Sequence, residues 1–240
     1  MNTIAQPVPA APAGRPAGPS TTASLALRRT FLIVPPLALA VVLWFHPAGG
    51  ESVYEGVRHD VGAWFLVHVG LLVALPLLGI AAYLLLDGLQ GRAATLSRIA
   101  LAPFLVFYAA YEVTVGAATG VLVDYANGLP AADQAAVAGA IQDLNRNAVL
   151  SDPSVSMVVG ASAWIVAMVA AAVALRRAGA SWLVTALVGL AAVFAIHPPP
   201  VGPIGLVCFA AGAVLVERAR VRADRAGASV AGARPGIEGT

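Results

Sequence analysis

The sequence predicts an all-α membrane protein: a six-transmembrane-helix bundle with an amphipathic outer helix in the loop between the third and fourth spans. Three observations carry that expectation. Of 240 residues, 59% are hydrophobic and 11% charged, where a soluble domain carries about 25% charged residues. With a mean hydropathy of +0.83, such a chain lacks the polar groups to cover its own surface, so lipid must cover part of it. Six apolar segments come near the roughly 20 residues that a spanning helix needs. The arginines also concentrate on one of the two sides that those segments define.

Residues 1–24 are rich in Pro, Ala, Gly, Ser and Thr and lack apolar periodicity. This composition predicts a disordered cytoplasmic tail. The first apolar run begins after Arg28 and Arg29, and no small-residue cleavage site follows it, so it reads as a retained anchor. The predicted transmembrane domain covers residues 25–217, with spans near 28–46, 61–86, 98–123, 153–175, 181–197 and 203–217. A basic cytoplasmic tail covers 218–240, and the sixth helix can run on into it past Glu217 while the arginines snorkel to the interface.

Orientation follows from arginine. All 14 basic residues are Arg. With the N-terminus inside, only Arg58 and Arg146 fall on outer segments, and the other 12 fall inside. The positive-inside rule therefore places both termini in the cytoplasm of a bacterial plasma membrane. The formal net charge of +2 gives no nucleic-acid footprint. The single cysteine, Cys208, excludes an intrachain disulfide and a cysteine-based zinc site, and it reads as a packing residue.

Pro35-Pro36, Pro76 and Pro103 lie inside spans, where each removes a backbone hydrogen bond and kinks its helix. Asp87-Gly88 closes the second span. Asp152 is suited to cap the fourth, with Pro153 at its first position. In the loop from Asp124 to Asp152, Val137, Ala140, Ile141, Leu144 and Ala148 share one helical face. That stripe predicts an amphipathic helix near 130–148, either on the outer rim or folded over the bundle as a lid. His197-Pro198-Pro199-Pro200-Val201-Gly202-Pro203 predicts a rigid, tight turn.

Polar residues inside spans carry the functional signal, because burying them in hydrocarbon is costly. Glu112 sits near the middle of the third span, and Tyr108, Gly116 and Thr119 share its face. His68 lies about 10 Å along the second span from its outer end, and Glu112 about 16 Å from the outer end of the third. The spans are joined by a short loop and so are antiparallel neighbours, which brings His68 and Glu112 within reach. Two readings of the pair stand: a proton or cation site, or a hydrogen bond that only fixes helix packing.

His46, His59, His68 and His197 all fall on the outer half. Four imidazoles with a carboxylate are a ligand set for a divalent metal, and two facing imidazoles are one for haem iron. No short ligand spacing supports either cofactor. His46-Pro47 and His197-Pro198 each follow a Leu-Ala-x-Val run at the same offset, a pattern that duplication or chance explains. Gly160-Ala161-Ser162-Ala163 loosely resembles the serine motif of rhomboid proteases, but the sixth span has no histidine, so Ser162 reads as a small packing residue.

Residues 25–217 as a whole resemble multi-pass membrane proteins of GC-rich bacteria that have no assigned activity. The likeness rests on His-Pro-Ala-Gly-Gly (46–50), Leu-Leu-Leu-Asp-Gly-Leu-x-Gly-Arg (84–92) and His-Pro-Pro-Pro-x-Gly-Pro (197–203), and it implies fold and location only. Three function classes follow from the residues. The first is a small transporter or accessory subunit handling a proton, ion or small solute through Glu112, His68, Tyr108 and Thr119. The second is a metal- or haem-binding membrane protein, and the third a non-catalytic structural or signalling partner. No residue is assigned a catalytic role.

Overall fold

The computed structural model describes residues 22–47, 51–147 and 154–232. Among them every regular element is helical. We number the helices α1 (Thr22–Leu43), α2 (Val53–Val57), α3 (Val61–Leu85), α4 (Arg92–Asn127), α5 (Ala131–Asn145), α6 (Val155–Arg177), α7 (Trp182–Ala195) and α8 (Val201–Gly232).

Five of these helices, α1, α3, α4, α6 and α8, are long and apolar enough to cross a membrane. The segment expected as a fifth span is shorter. It is α-helical over Trp182–Leu190 and tightens to a 3-10 turn over Ala191–Ala195. Together these rise only about 23 Å, against a hydrocarbon core of about 30 Å. The helix still carries the chain from the arginine-rich end of the bundle to the opposite, histidine-bearing end. The large apolar side chains on the outside, among them Val41, Leu66, Val73, Val106 and Val169, are exposed and suit lipid.

Several boundaries differ from the sequence expectation. The first helix begins at Thr22, inside the expected tail; residues 1–21 lie outside those described. The last continues through the arginine-rich stretch to Gly232. The Asp152-Pro153 start falls outside the described residues. The observed cap of α6 is Ser154, whose hydroxyl accepts from the Met157 amide at 3.0 Å, satisfying one of the orphan donors of the first turn.

At the arginine-rich end, three guanidiniums donate to carbonyls of the last turn of α3, where the i→i+4 ladder ends. Arg28 donates to Leu84 O at 2.9 Å, Arg220 to Leu85 O at 3.1 Å, and Arg98 to Leu86 O at 2.8 Å. Arg28 also bonds Asp87 and Glu217, and Arg220 bonds Glu217 at 2.8 Å. The network locks the start of α1 and the middle of α8 against the end of α3. Gly88, at φ +76, supplies the left-handed turn that lets the chain leave.

The core is built from close helix approach. Ser97 donates to Ala167 O at 2.7 Å across the α4–α6 contact, and Trp164 donates to Ala191 O at 2.9 Å to tie α7 to α6. A β-carbon at Gly160 would fall 2.7 Å from the Tyr108 amide nitrogen, so only glycine admits α4 this near to α6. Ser162 faces outward on the same helix.

The loop helix is α5. Ile141 is fully buried against Tyr54, Val57, Trp64, Val123 and Ala126, with Val137 packed alongside. The helix folds over the histidine-bearing end of the bundle, pinned by Gln134, which donates to Leu129 O at 2.9 Å, and by Tyr54 between Asn127 and Gln134.

Candidate metal centre

Four helical segments converge near the histidine-bearing end. Pro103 has no amide hydrogen to continue the α4 ladder, and the helix widens to π-helical turns at Phe104–Tyr108 and again at Glu112–Ala118. Such π segments are rare and concentrate at functional sites. Here the second one begins at Glu112, whose carboxylate is fully buried. Neither oxygen of Glu112 has a hydrogen-bond partner among the described residues.

Two imidazoles flank that carboxylate. His68 Nε2 on α3 lies 3.9 Å from Glu112 Oε2, and His197 Nδ1, just past α7, lies 3.6 Å from Glu112 Oε1. Both rings are buried. His46, at the exit of α1, completes the group: its ring centroid is 5.2 Å from those of both His68 and His197. The ligand atoms of His46, His68 and His197 all lie within 4.8 Å of one another.

The hydrogen bonds fix the tautomers of two of these rings. His68 Nδ1 lies 2.9 Å from Trp64 O, and His46 Nδ1 lies 2.7 Å from Pro47 O. A carbonyl oxygen can only accept, so each Nδ1 carries the hydrogen and each Nε2 keeps its lone pair. A metal-ligating imidazole is prepared in this way, its second nitrogen donating to a backbone carbonyl. His197 Nδ1 is 3.0 Å from the Tyr108 hydroxyl, and its Nε2 is buried with no hydrogen-bond partner among the described residues.

The walls hold these rings in place. Trp64 stacks on His68 with centroids 4.0 Å apart, and its indole N–H donates to Gly116 O at 2.7 Å. That bond clamps α3 to the π-helical stretch of α4. Gly202 packs so closely on His197 that a β-carbon there would lie 2.0 Å from the His197 carbonyl oxygen. The turn after His197 can therefore close only on glycine.

The residues singled out in the sequence divide into three groups. Glu112, His68 and Tyr108 come together, joined by His46 and His197. Thr119 is buried but belongs elsewhere: its hydroxyl accepts from Asn145 at 3.0 Å and anchors the end of α5. His59 is exposed beside the start of α3 and is not one of the three clustered histidines. Trp64 was missed, although its spacing of four residues from His68 puts the two on one helical face. His46, His68 and His197 were among the imidazoles the sequence offered as a metal-ligand set, but the sequence paired only His68 with Glu112, whereas His197 also flanks that carboxylate and His46 packs on both rings. The signal for that arrangement was the repeated His-Pro at the same end of two spans.

Chemically, three neutral imidazoles and a carboxylate form a nitrogen-rich, single-anion ligand set suited to zinc, copper, iron or nickel. Metal–nitrogen bonds of about 2.0–2.1 Å would require the rings to draw inward from their present spacing, a side-chain adjustment. Comparison of the chain with family models, curated proteins and solved structures finds no match.

Proposed function

We propose that this chain is a metal-binding integral membrane protein that holds one divalent transition-metal ion between His46, His68, His197 and Glu112. One observation carries the reading. A fully buried carboxylate with no hydrogen-bond partner on either oxygen among the described residues faces imidazoles whose ligand atoms lie within 4.8 Å of one another. A buried charge needs a counter-charge or a proton, and a bound dication supplies the counter-charge. Four protein ligands on a buried ion leave little room for a hydrolytic water, which favours storage, transfer or electron exchange over metal-assisted hydrolysis.

A second reading rests on the same carboxylate in the absence of metal. Glu112 would then hold a proton, and the neutral imidazoles would relay it, as in a small transporter or accessory subunit for a proton, ion or small solute. The unusual winding of α4 at Glu112 favours this reading over a purely structural partner.

The deciding experiment is elemental analysis of the full chain purified without chelator, together with its absorption spectrum. The metal reading expects about one transition-metal ion per chain, lost in His68→Ala and His197→Ala. A Soret band would assign the cluster to haem instead. Neither metal nor haem, with proton-coupled activity abolished by Glu112→Gln, would overturn the metal reading in favour of the second.

A further inference from the structure

A second polar feature lies at the opposite end of the bundle. A groove of about 480 Å³ runs between the start of α1 and the middle of α8. Its polar wall is Arg29, Arg218, Arg222 and Arg225, and its apolar floor includes Ile33 and Val221. Arg218, Arg222 and Arg225 follow one another at helical spacing, so the continuation of α8 past Glu217 presents them on one face. All three are exposed and have no carboxylate within ion-pair distance among the described residues.

Glu217 also borders the groove, but its charge is already committed. Arg28 holds it at 3.1 Å and Arg220 at 2.8 Å, while Arg29 stands off at 3.9 Å. The four groove arginines therefore carry a surplus of positive charge beside an apolar floor. The Arg28–Asp87–Glu217 network lies at the same level and marks where the apolar stretches of α1, α3 and α8 end. In a spanning protein that level is the headgroup region.

We propose that this groove binds the phosphate of an anionic phospholipid, with the arginines on the phosphate and Ile33 and Val221 against the glycerol and upper acyl chain. Arginine matches phosphate through its planar fork of donors, and basic pockets between membrane helices are suited to anionic headgroups. The same chemistry would accept free phosphate. The apolar floor selects the lipid.

The test is native mass spectrometry of the full chain in detergent, titrated separately with phosphatidylglycerol, phosphatidylcholine and inorganic phosphate. We expect one tightly held phosphatidylglycerol per chain. Its affinity should fall roughly fivefold for each groove arginine removed, so about twenty-fivefold in Arg222→Gln/Arg225→Gln. Arg222→Lys/Arg225→Lys should retain most of the binding, and Arg92→Gln, an exposed arginine outside the groove, should leave it unchanged. Equal retention of phosphatidylcholine, or undiminished binding in the double Gln variant, would overturn the proposal. Binding of inorganic phosphate that excludes phosphatidylglycerol would overturn the lipid as its source.

Discussion

The ring of His68 occupies the space that a side chain at residue 116 would need: a β-carbon on Gly116 would lie 2.2 Å from His68 Cδ2. This links the packing of α3 on α4 to the position of an imidazole beside Glu112. Gly116→Ala should therefore act on the site as well as on the helix. In an exposed helix the change would be favourable by about 1 kcal/mol; here overpacking costs roughly 1–3 kcal/mol. A lower melting temperature is expected, with loss of bound metal. Wild-type melting and metal content would show that α4 has room to move.

Tyr108 tests the second layer of the site. Its hydroxyl lies 3.0 Å from His197 Nδ1 and 3.4 Å from Ala195 O, to which it donates. Removing a partner of this kind typically costs about 10–100-fold in metal affinity. Tyr108→Phe should keep the fold, since the ring remains buried, and should weaken metal binding by that factor. Competition with a calibrated chelator measures it. An unchanged affinity would mean that Tyr108 does not orient His197.

The docking of α5 rests on Ile141, which is fully buried in the small cluster at the histidine-bearing end. Ile141→Asp removes apolar burial worth roughly 1.5–3 kcal/mol. Amide exchange across 131–145 should accelerate by at least tenfold while exchange in α6 stays slow. If exchange in α5 is already fast in the wild type, the helix is not held by this residue.

The sequence made the helices legible because hydrocarbon imposes a strong length and composition rule on each one. The loop helix was legible too, since Val137, Ile141 and Leu144 mark one face, although Ala140 of the expected stripe is exposed and Ala148 lies outside the described residues. The form of α7 was less legible, because an apolar run such as 181–197 does not reveal that its last turn tightens to a 3-10 turn and stops at Ala195. The proximity of His68 and Glu112 follows from two axial positions on neighbouring antiparallel helices. The arrival of His46 and His197 does not: they come from the exits of α1 and α7, far apart in the chain, and no ligand spacing encodes a site built from four helical segments. Thr119 shared a helical face with Glu112 in a regular helix, but the π turns between them change the register, and its partner is Asn145.

The arginine-rich end offers a prediction about stability. Glu217 is nearly buried and holds Arg28 and Arg220 together. Removing one member of a buried charge cluster leaves the others uncompensated and costs on the order of 3 kcal/mol. Glu217→Leu should lower the melting temperature more than Asp87→Ala, because Asp87 is largely exposed and exposed pairs contribute about 0–1 kcal/mol. Equal effects of the two substitutions would show that the cluster is well solvated.

The last prediction concerns orientation. The start of α1, the α3–α4 turn and the α6–α7 turn gather at one end of the bundle, where Arg28, Arg98, Arg176 and Arg220 bond backbone or carboxylate oxygens. The insertion machinery retains arginine-rich loops on the cytoplasmic side, so this end should face the cytoplasm, with Glu112 and the histidines nearer the outer face. In a chain whose native Cys208 has been replaced, a cysteine at Ala178 should resist an impermeant thiol reagent in intact cells and react after permeabilisation. A cysteine at Asp143, exposed on α5, should react without permeabilisation. The reverse pattern would invert the protein in the membrane, open the histidine cluster to the cytoplasmic metal pool and place the arginine groove against the outer leaflet.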